Sequence, residues 1–288
     1  MRLLLYTGIA ITIMHMSACM YNLASAKTIV LNSKNVITFE SDFNQQSTAE
    51  LATKALSKDL GKGFYGPMYL FIDSPGGSVD AGIEMIQNLN SLKTKVHTIT
   101  TFAASMGFHT VQGVKGKRYI LENGTLMSHK ARGGFQGEFP GQLDQRYNFY
   151  KRRLERLDAI VVKRTKGKHT LESYKALYEN EYWCDGQDCV DQGFADSVVT
   201  VRCDKSLKGT KKVLGGRYRM FGSRIDIYLI KSKCPIITGP LGIKAYINGE
   251  PADKALKKIG SETLRLHLRQ NINTKIDEIS NKKKNVTR

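Results

Sequence analysis

Apolar residues along this chain recur at two spacings, and the switching between them predicts the elements. Val36, Ile37 and Phe39 within Asn35–Glu40 suggest a strand. Ser47-Thr48-Ala49-Glu50 predicts a helix start, with Ser47 as cap and Glu50 three positions on. Ala49, Leu51, Ala52 and Leu56 give that helix an apolar side, and the stretch from Gly61 to Gly66 ends it. Met68–Ile72 reads as a buried strand and Ser74-Pro75-Gly76-Gly77 as a sharp turn. Val79, Ile83, Ile86, Leu89 and Leu92 return to helical spacing. Val96–Thr101 is again strand-like, and a helix over Ala103–Val111 is entered directly from it. Arg118–Leu121 and Thr125–Ser128 read as two short strands around Glu122-Asn123-Gly124. A charged helix over Tyr147–Arg164 keeps Leu154, Leu157, Ile160 and Val161 on one face. A helix over Leu171–Tyr178 and a strand over Val198–Val201 follow. This alternation predicts an α/β domain with a largely parallel sheet, whose sites lie in loops at the carboxyl ends of strands.

The N-terminus has a different pattern. Met1-Arg2, an apolar run from Leu3 to Met14, and Ala24-Ser25-Ala26 form a charged region, an apolar core and a small-x-small cleavage site. Residues 1–26 are therefore expected to be a secretory signal cleaved after Ala26, which predicts a periplasmic or secreted protein. An uncleaved anchor is one alternative. Met16-Ser17-Ala18-Cys19 supplies another, since cleavage before Cys19 would leave a lipid-anchored protein. Beyond the leader four cysteines remain: Cys184, Cys189, Cys203 and Cys234. An even number in an exported chain suits two disulfides, and of the three possible pairings Cys184–Cys189 with Cys203–Cys234 closes the shortest loops. No Cys-x-x-Cys or paired-His spacing points to a metal, and no cofactor is expected.

Composition is that of a globular protein: 41% hydrophobic and 24% charged residues rule out global disorder. One short apolar run excludes a polytopic membrane protein. Charge divides the chain more sharply. Residues 204–288 hold 20 Lys and Arg against 7 Asp and Glu, so they carry +13 of the total +18. Ile225–Ile230 and Ile236-Ile237 read there as strands, and Ala252–Ile259 and Ser261–Ile272 as helices. A small basic α+β extension is expected, joined near Cys203 and Cys234. It would suit an anionic surface, phage DNA or an acidic substrate, or serve only as a solvated basic face.

Three turns in the first domain carry candidate chemistry. Gly76 and Gly77 let a ligand approach backbone amides at a helix start, where partial positive charge gathers. Ala103-Ala104-Ser105-Met106-Gly107 places a serine among small residues between strand and helix, the logic of a nucleophile elbow. His129 ends the next strand, where an imidazole can take a proton from a serine. Each has a plain alternative: a tight turn, a helix cap, a structural histidine. His109, four residues after Ser105, is a reserve base.

In order, Phe71-Ile72-Asp73-Ser74-Pro75-Gly76-Gly77-Ser78-Val79, Ala103-Ala104-Ser105-Met106-Gly107, Lys115-Gly116-Lys117-Arg118, Met127-Ser128-His129 and Gly133-Gly134-Phe135-Gln136-Gly137 resemble the Clp protease proteolytic subunit family. The similarity runs from about Asn35 to Thr200, and Asp191–Ser197 looks like that family's closing segment. The resemblance implies a Clp/crotonase-like fold of repeated strand–strand–helix units over residues 27–203. It also implies a serine endopeptidase with Ser105 as nucleophile, His129 as general base and the amides of Gly77 and Met106 as oxyanion hole. Gly133–Gly137 would pair subunits and line the substrate groove, which implies a homo-oligomer acting on peptides or unfolded chains. The family's third catalytic residue is an Asp. At family spacing Glu181 stands there, with Asn180 beside it as the alternative, or the member is lost. Cytosolic relatives work with an ATP-driven unfoldase, whereas an exported chain is expected to act without an ATPase partner. Three rivals stand beside this reading: a catalytically silent peptide- or partner-binding module, a Ser–Lys enzyme like signal peptide peptidase, and a crotonase-like acyl-CoA enzyme.

Overall fold

The computed structural model describes residues 27–61 and 66–284, with the side chains of 282–284 left aside. The leader expected over 1–26, with Cys19, lies outside the described residues. Seven strands form the central sheet: β1 (Lys27–Leu31), β2 (Val36–Phe39), β3 (Met68–Ser74), β4 (Val96–Ala104), β5 (Arg118–Ser128), β6 (Tyr182–Asp185) and β7 (Ser197–Cys203). Their order is β1-β7-β5-β4-β3-β2, every neighbour along this path is parallel, and β6 joins β5 antiparallel. The protein is thus an α/β protein built on a parallel sheet.

Period-two alternation explains why the strands are apolar throughout. Leu70 and Ile72 of β3 face one core, with Leu51, Met85, Phe108 and Val161 from the helices. Phe71 between them faces a second, with Ile29, Ile99, Tyr119 and Val199. Both sides are covered, as parallel sheets require. Each such fully buried large side chain contributes about 1.5–3 kcal/mol.

The helices are α1 (Gln45–Asp59), α2 (Val79–Ser91), α3 (Met106–Gly113), α4 (Gln142–Arg164), α5 (Leu171–Leu177) and α6 (Gly186–Asp191). Several expectations shift. Asn44, not Ser47, caps α1; its side chain accepts from Ser47 N–H, and Ser47 returns the bond to Asn44 N–H. Ala103 and Ala104 belong to β4 rather than to the helix. The two short strands around Gly124 are one strand, because β5 takes up the extra residues as an irregularity against β4. A Cβ on Gly124 would come within 2.5 Å of Thr100 O, so the close crossing needs glycine there.

Residues 204–284 form a second layer of structure. β8 (Thr210–Met220), β9 (Ser223–Ser232), β10 (Pro240–Ile247) and β11 (Glu250–Pro251) make an antiparallel sheet, followed by α7 (Ala252–Lys257) and α8 (Glu262–Lys284). Ile225, Ile227 and Ile247 pack there against Leu256, Leu268 and Ile272. Ile236 and Ile237, expected as a strand, are instead exposed in the connection from β9 to β10. A disulfide joins Cys203, the last residue of β7, to Cys234 after β9. A second joins Cys184 to Cys189. Among the described residues no helix is long and apolar enough to cross a membrane.

Candidate active site

The carboxyl ends of β3, β4 and β5 converge, and their turns carry the candidate chemistry. β4 stops at Ala104 and α3 starts at Met106, so Ser105 alone makes the corner. Its φ is 54° and ψ −117°, a conformation that a non-glycine residue adopts only when its surroundings force it. Two bonds fix it there: Ser105 N–H donates to Met127 O at 2.9 Å, and Ser105 O accepts from His109 N–H at 3.2 Å. Ser105 makes no side-chain capping bond to α3. The corner therefore holds the hydroxyl out, as a nucleophile elbow does.

The glycine turn after β3 lies directly against this corner. A Cβ on Gly76 would sit 2.7 Å from Ser105 Cβ and 3.0 Å from Met106 N. The turn is itself held from outside the three motifs. Phe43 N–H donates to Gly76 O and Phe43 O accepts from Ser78 N–H, each at 2.8 Å. Ser74 is buried, donates to Ser41 O at 2.6 Å and accepts from Gly76 N–H at 3.2 Å. Among the described residues the N–H groups of Gly77 and Met106 have no acceptor. Met106 opens a helix, where the first amides lack intrahelical partners and the dipole favours negative charge. Two free donors beside a projecting hydroxyl can hold a developing oxyanion.

His129 follows β5, half-buried. Among the described residues no hydrogen bond joins it to Ser105, Glu181 or Asn180. Their chain neighbours do pair: Ser128 and Tyr182 close the antiparallel β5–β6 ladder, with His129 and Glu181 just beyond it on either strand. The Glu181 backbone is in the left-handed region at φ 73°, and its carboxylate turns to Arg132 at 3.5 Å. Glu179 pairs with Lys130. Asn180 closes the short 3₁₀ turn ahead of Glu181. Cys184 and Cys189 lie one strand-length from Glu181, their disulfide tying β6 to α6.

His109 lies one helical turn from Ser105, with its Nδ1 buried and unpartnered. Burial, and then the nearby charge of His129, push this imidazole down to about 4, so it is neutral at pH 7. Behind His129, Ser128 Oγ and Tyr174 OH share a hydrogen bond of 2.8 Å in the core. Sequence reasoning missed Phe43 and Tyr174. Phe43 acts through its backbone, which any residue supplies, so no residue type marks it. Among the described residues no group of His, Cys, Asp and Glu could hold a metal ion.

A parallel sheet with a serine on a positive-φ corner, two amides without acceptors beside it and a histidine at the end of the next strand is the arrangement of a hydrolase-like α/β site. Comparison with known proteins gives the family. The Clp protease family matches residues 21–202, and the chain belongs to it. The ATP-dependent Clp protease proteolytic subunit of Streptococcus uberis (strain ATCC BAA-854 / 0140J) is 32% identical over 139 residues, covering 46% of this chain and 68% of that protein. At family level the chain is therefore a serine-peptidase type of hydrolase. The match ends at residue 202, so the basic second layer lies beyond it.

Proposed function

We infer that this chain is an exported serine endopeptidase that cleaves peptides or unfolded chains without an ATPase partner. The observation that carries the reading is the corner itself: Ser105 at φ 54°, packed so tightly on Gly76 that no side chain fits between them. Ser105 Oγ attacks the scissile carbonyl while His129 takes its proton. The tetrahedral oxyanion rests on the amides of Gly77 and Met106. Collapse passes the proton from His129 to the leaving amine, and water then repeats the sequence to free the acid. Glu181 is the orienting group; it reaches His129 by releasing Arg132, a weak exposed pair at 3.5 Å. Export is supported by the leader pattern and by two disulfides, which persist in oxidising compartments. Exposed Phe135, Phe139, Tyr147 and Phe149 on the segment after His129 and on α4 support a homo-oligomer.

Fluorophosphonate labelling of the mature protein tests this beside Ser105→Ala and His129→Ala. Wild type should label and both variants should not. Labelling that persists in Ser105→Ala removes the nucleophile assignment. The engaged Glu181 carboxylate favours a second reading, a silent binding module of the same fold. Wild type that neither labels nor cleaves casein would establish that one instead.

A further inference from the structure

A cleft of about 850 Å³ opens between the two layers, beside the candidate active site. One wall comes from the peptidase domain: Asp42 and Glu50 near the start of α1, Asp73 of β3, Pro75 of the glycine turn and Phe102 of β4. The other comes from Val213 and Leu214 of β8, Leu229 of β9 and Ile279 of α8. The second wall is made only by residues beyond the family match at 202. The volume falls within the range of ligand sites, and the lining combines apolar side chains with polar and charged ones.

The cleft meets the elements that carry the candidate catalytic turns at Pro75 and Phe102. Pro75 immediately precedes Gly76, and Phe102 of β4 lies three residues before the Ser105 corner. Asp42 precedes Phe43, whose backbone grips Gly76 and Ser78. The walls are fixed to each other: Lys231 of β9 pairs with Glu40 after β2, Lys211 approaches Glu40 at 4.0 Å, and the Cys203–Cys234 disulfide ties the second layer to β7.

Its charge runs against that of the protein. The chain carries +18, yet the cleft is lined by Glu40, Asp42, Glu50 and Asp73, and among the described residues Lys231 is the one cation in its lining. Lys231 and Lys211 already compensate Glu40. Among the described residues no basic side chain pairs with Asp42 or Glu50; Glu50 accepts only from Gln46, at 3.1 Å. Exposed Val213 and Leu214 lie across from these carboxylates. A lysine or arginine satisfies both walls at once, its head on the carboxylates and its aliphatic stem on the apolar side. Elsewhere the basic surface repels such a ligand, so the carboxylates of the cleft concentrate it there.

We propose that this cleft is a substrate-binding extension of the peptidase site, specific for extended peptide segments that combine lysine or arginine with large apolar residues. The proposal rests on the peptidase reading for its purpose, but its binding is measurable without catalysis. The full-length mature protein with both disulfides and Ser105→Ala is titrated into two fluorescein-labelled decapeptides at 0.15 M salt. One alternates leucine with lysine; the other carries acetyl-lysine in place of lysine. The lysine peptide should bind about fivefold tighter, the yield of one or two partly exposed ion pairs. Asp42→Asn with Glu50→Gln should erase that ratio, and Leu214→Trp, which fills the cleft, should weaken both peptides. Equal affinities, or a ratio that survives the double substitution, overturn the proposal. Fluorophosphonate labelling of the Ser105 form separates the two ideas. Labelling without a binding ratio defeats the cleft alone. A binding ratio without labelling keeps the cleft and defeats the peptidase.

Discussion

Each layer of the protein holds a carboxylate between two arginines, and the two are built in opposite ways. In the peptidase domain Asp196 takes Arg118 at 2.9 Å and Arg164 at 3.8 Å. Arg118 is itself buried, and it also donates to Gln112 Oε1, Gly193 O and Arg164 O, so one guanidinium joins α3, the end of α4 and the turn before β7. In the basic layer Asp226 is buried, but Arg217 at 2.6 Å and Arg224 at 3.2 Å are both half in water. Glycines at the candidate catalytic turns approach backbone too closely for any Cβ, whereas the turn glycines Gly222, Gly239 and Gly249 of the basic layer face open space. The first layer is held by internal constraints that position a site, the second by a small apolar core under a solvated basic face.

The strongest test of this contrast removes one arginine from each. Arg118→Ala leaves Asp196 only the longer contacts of Arg164 at 3.8 Å and Lys166 at 3.9 Å and strands the buried Gln112 oxygen, and should cost about 3 kcal/mol in urea unfolding. Arg217→Ala leaves Arg224 on Asp226 and should leave the unfolding midpoint where it was. Equal losses from the two substitutions would break the distinction. Burial pushes the Asp196 carboxyl up, but the hydrogen bonds and charge of Arg118 outweigh it and hold it below the usual range. The Arg118 contribution is therefore full above the ordinary carboxylate pKa and disappears only as pH falls through that lower value.

Gly76→Ala against Gly222→Ala sharpens the contrast at the level of function. The new methyl at Gly76 meets Ser105 Cβ and the Met106 amide, and φ there is 100°. Displacing either group should slow fluorophosphonate labelling about 10²–10³-fold, the usual cost of one oxyanion donor. At Gly222 φ is 75° with nothing nearby, so only backbone strain of about 1 kcal/mol is expected, with labelling unchanged. Undiminished labelling in Gly76→Ala would mean the turn is not part of the site.

What the sequence made legible follows the same division. Ser105, His129, Gly76 and Gly77 could be picked out because strand ends, small residues and a histidine mark chemistry that few other residue types perform. Glu181 was reached by spacing; the β5–β6 ladder ends at Ser128 and Tyr182, one residue short of His129 and Glu181 on either strand. Its turn toward Arg132 was not legible, because side-chain direction after a positive-φ residue depends on tertiary neighbours. The Asn44 cap was overlooked in favour of Ser47, since both belong to one capping box and only geometry separates cap from third residue. In the basic layer Ile225–Ile230 announced a strand. β8 did not, because Lys211, Lys212, Gly215 and Gly216 break any alternation and its pairing comes from β9. Ile236 and Ile237 misled for the converse reason: apolar residues carry no strand signal when they lie exposed in a connection.

The smallest test separates the layers by acid. His109 packs inside the peptidase domain against Phe108, and burial together with His129 lowers it from 6.5 to about 4. Its folded form is neutral, whereas an unfolded chain takes up the proton below about pH 6.5. Between pH 6.5 and 4 the unfolded state therefore binds more protons, so stability falls as pH falls. The contribution is complete above pH 6.5 and exhausted below 4, with a ceiling of about 3 kcal/mol. His97, lowered by burial and by Lys95, Lys27 and Lys117, adds a loss of the same sign. His109→Phe keeps the ring packing and His97 while removing the proton site. Urea unfolding at pH 7.5, 5.5 and 4.5 should then show a shallower decline in His109→Phe than in wild type. Parallel pH profiles for the two proteins would mean that His109 is charged in the fold, and that the interior beside Ser105 is wetter than its unpartnered Nδ1 indicates.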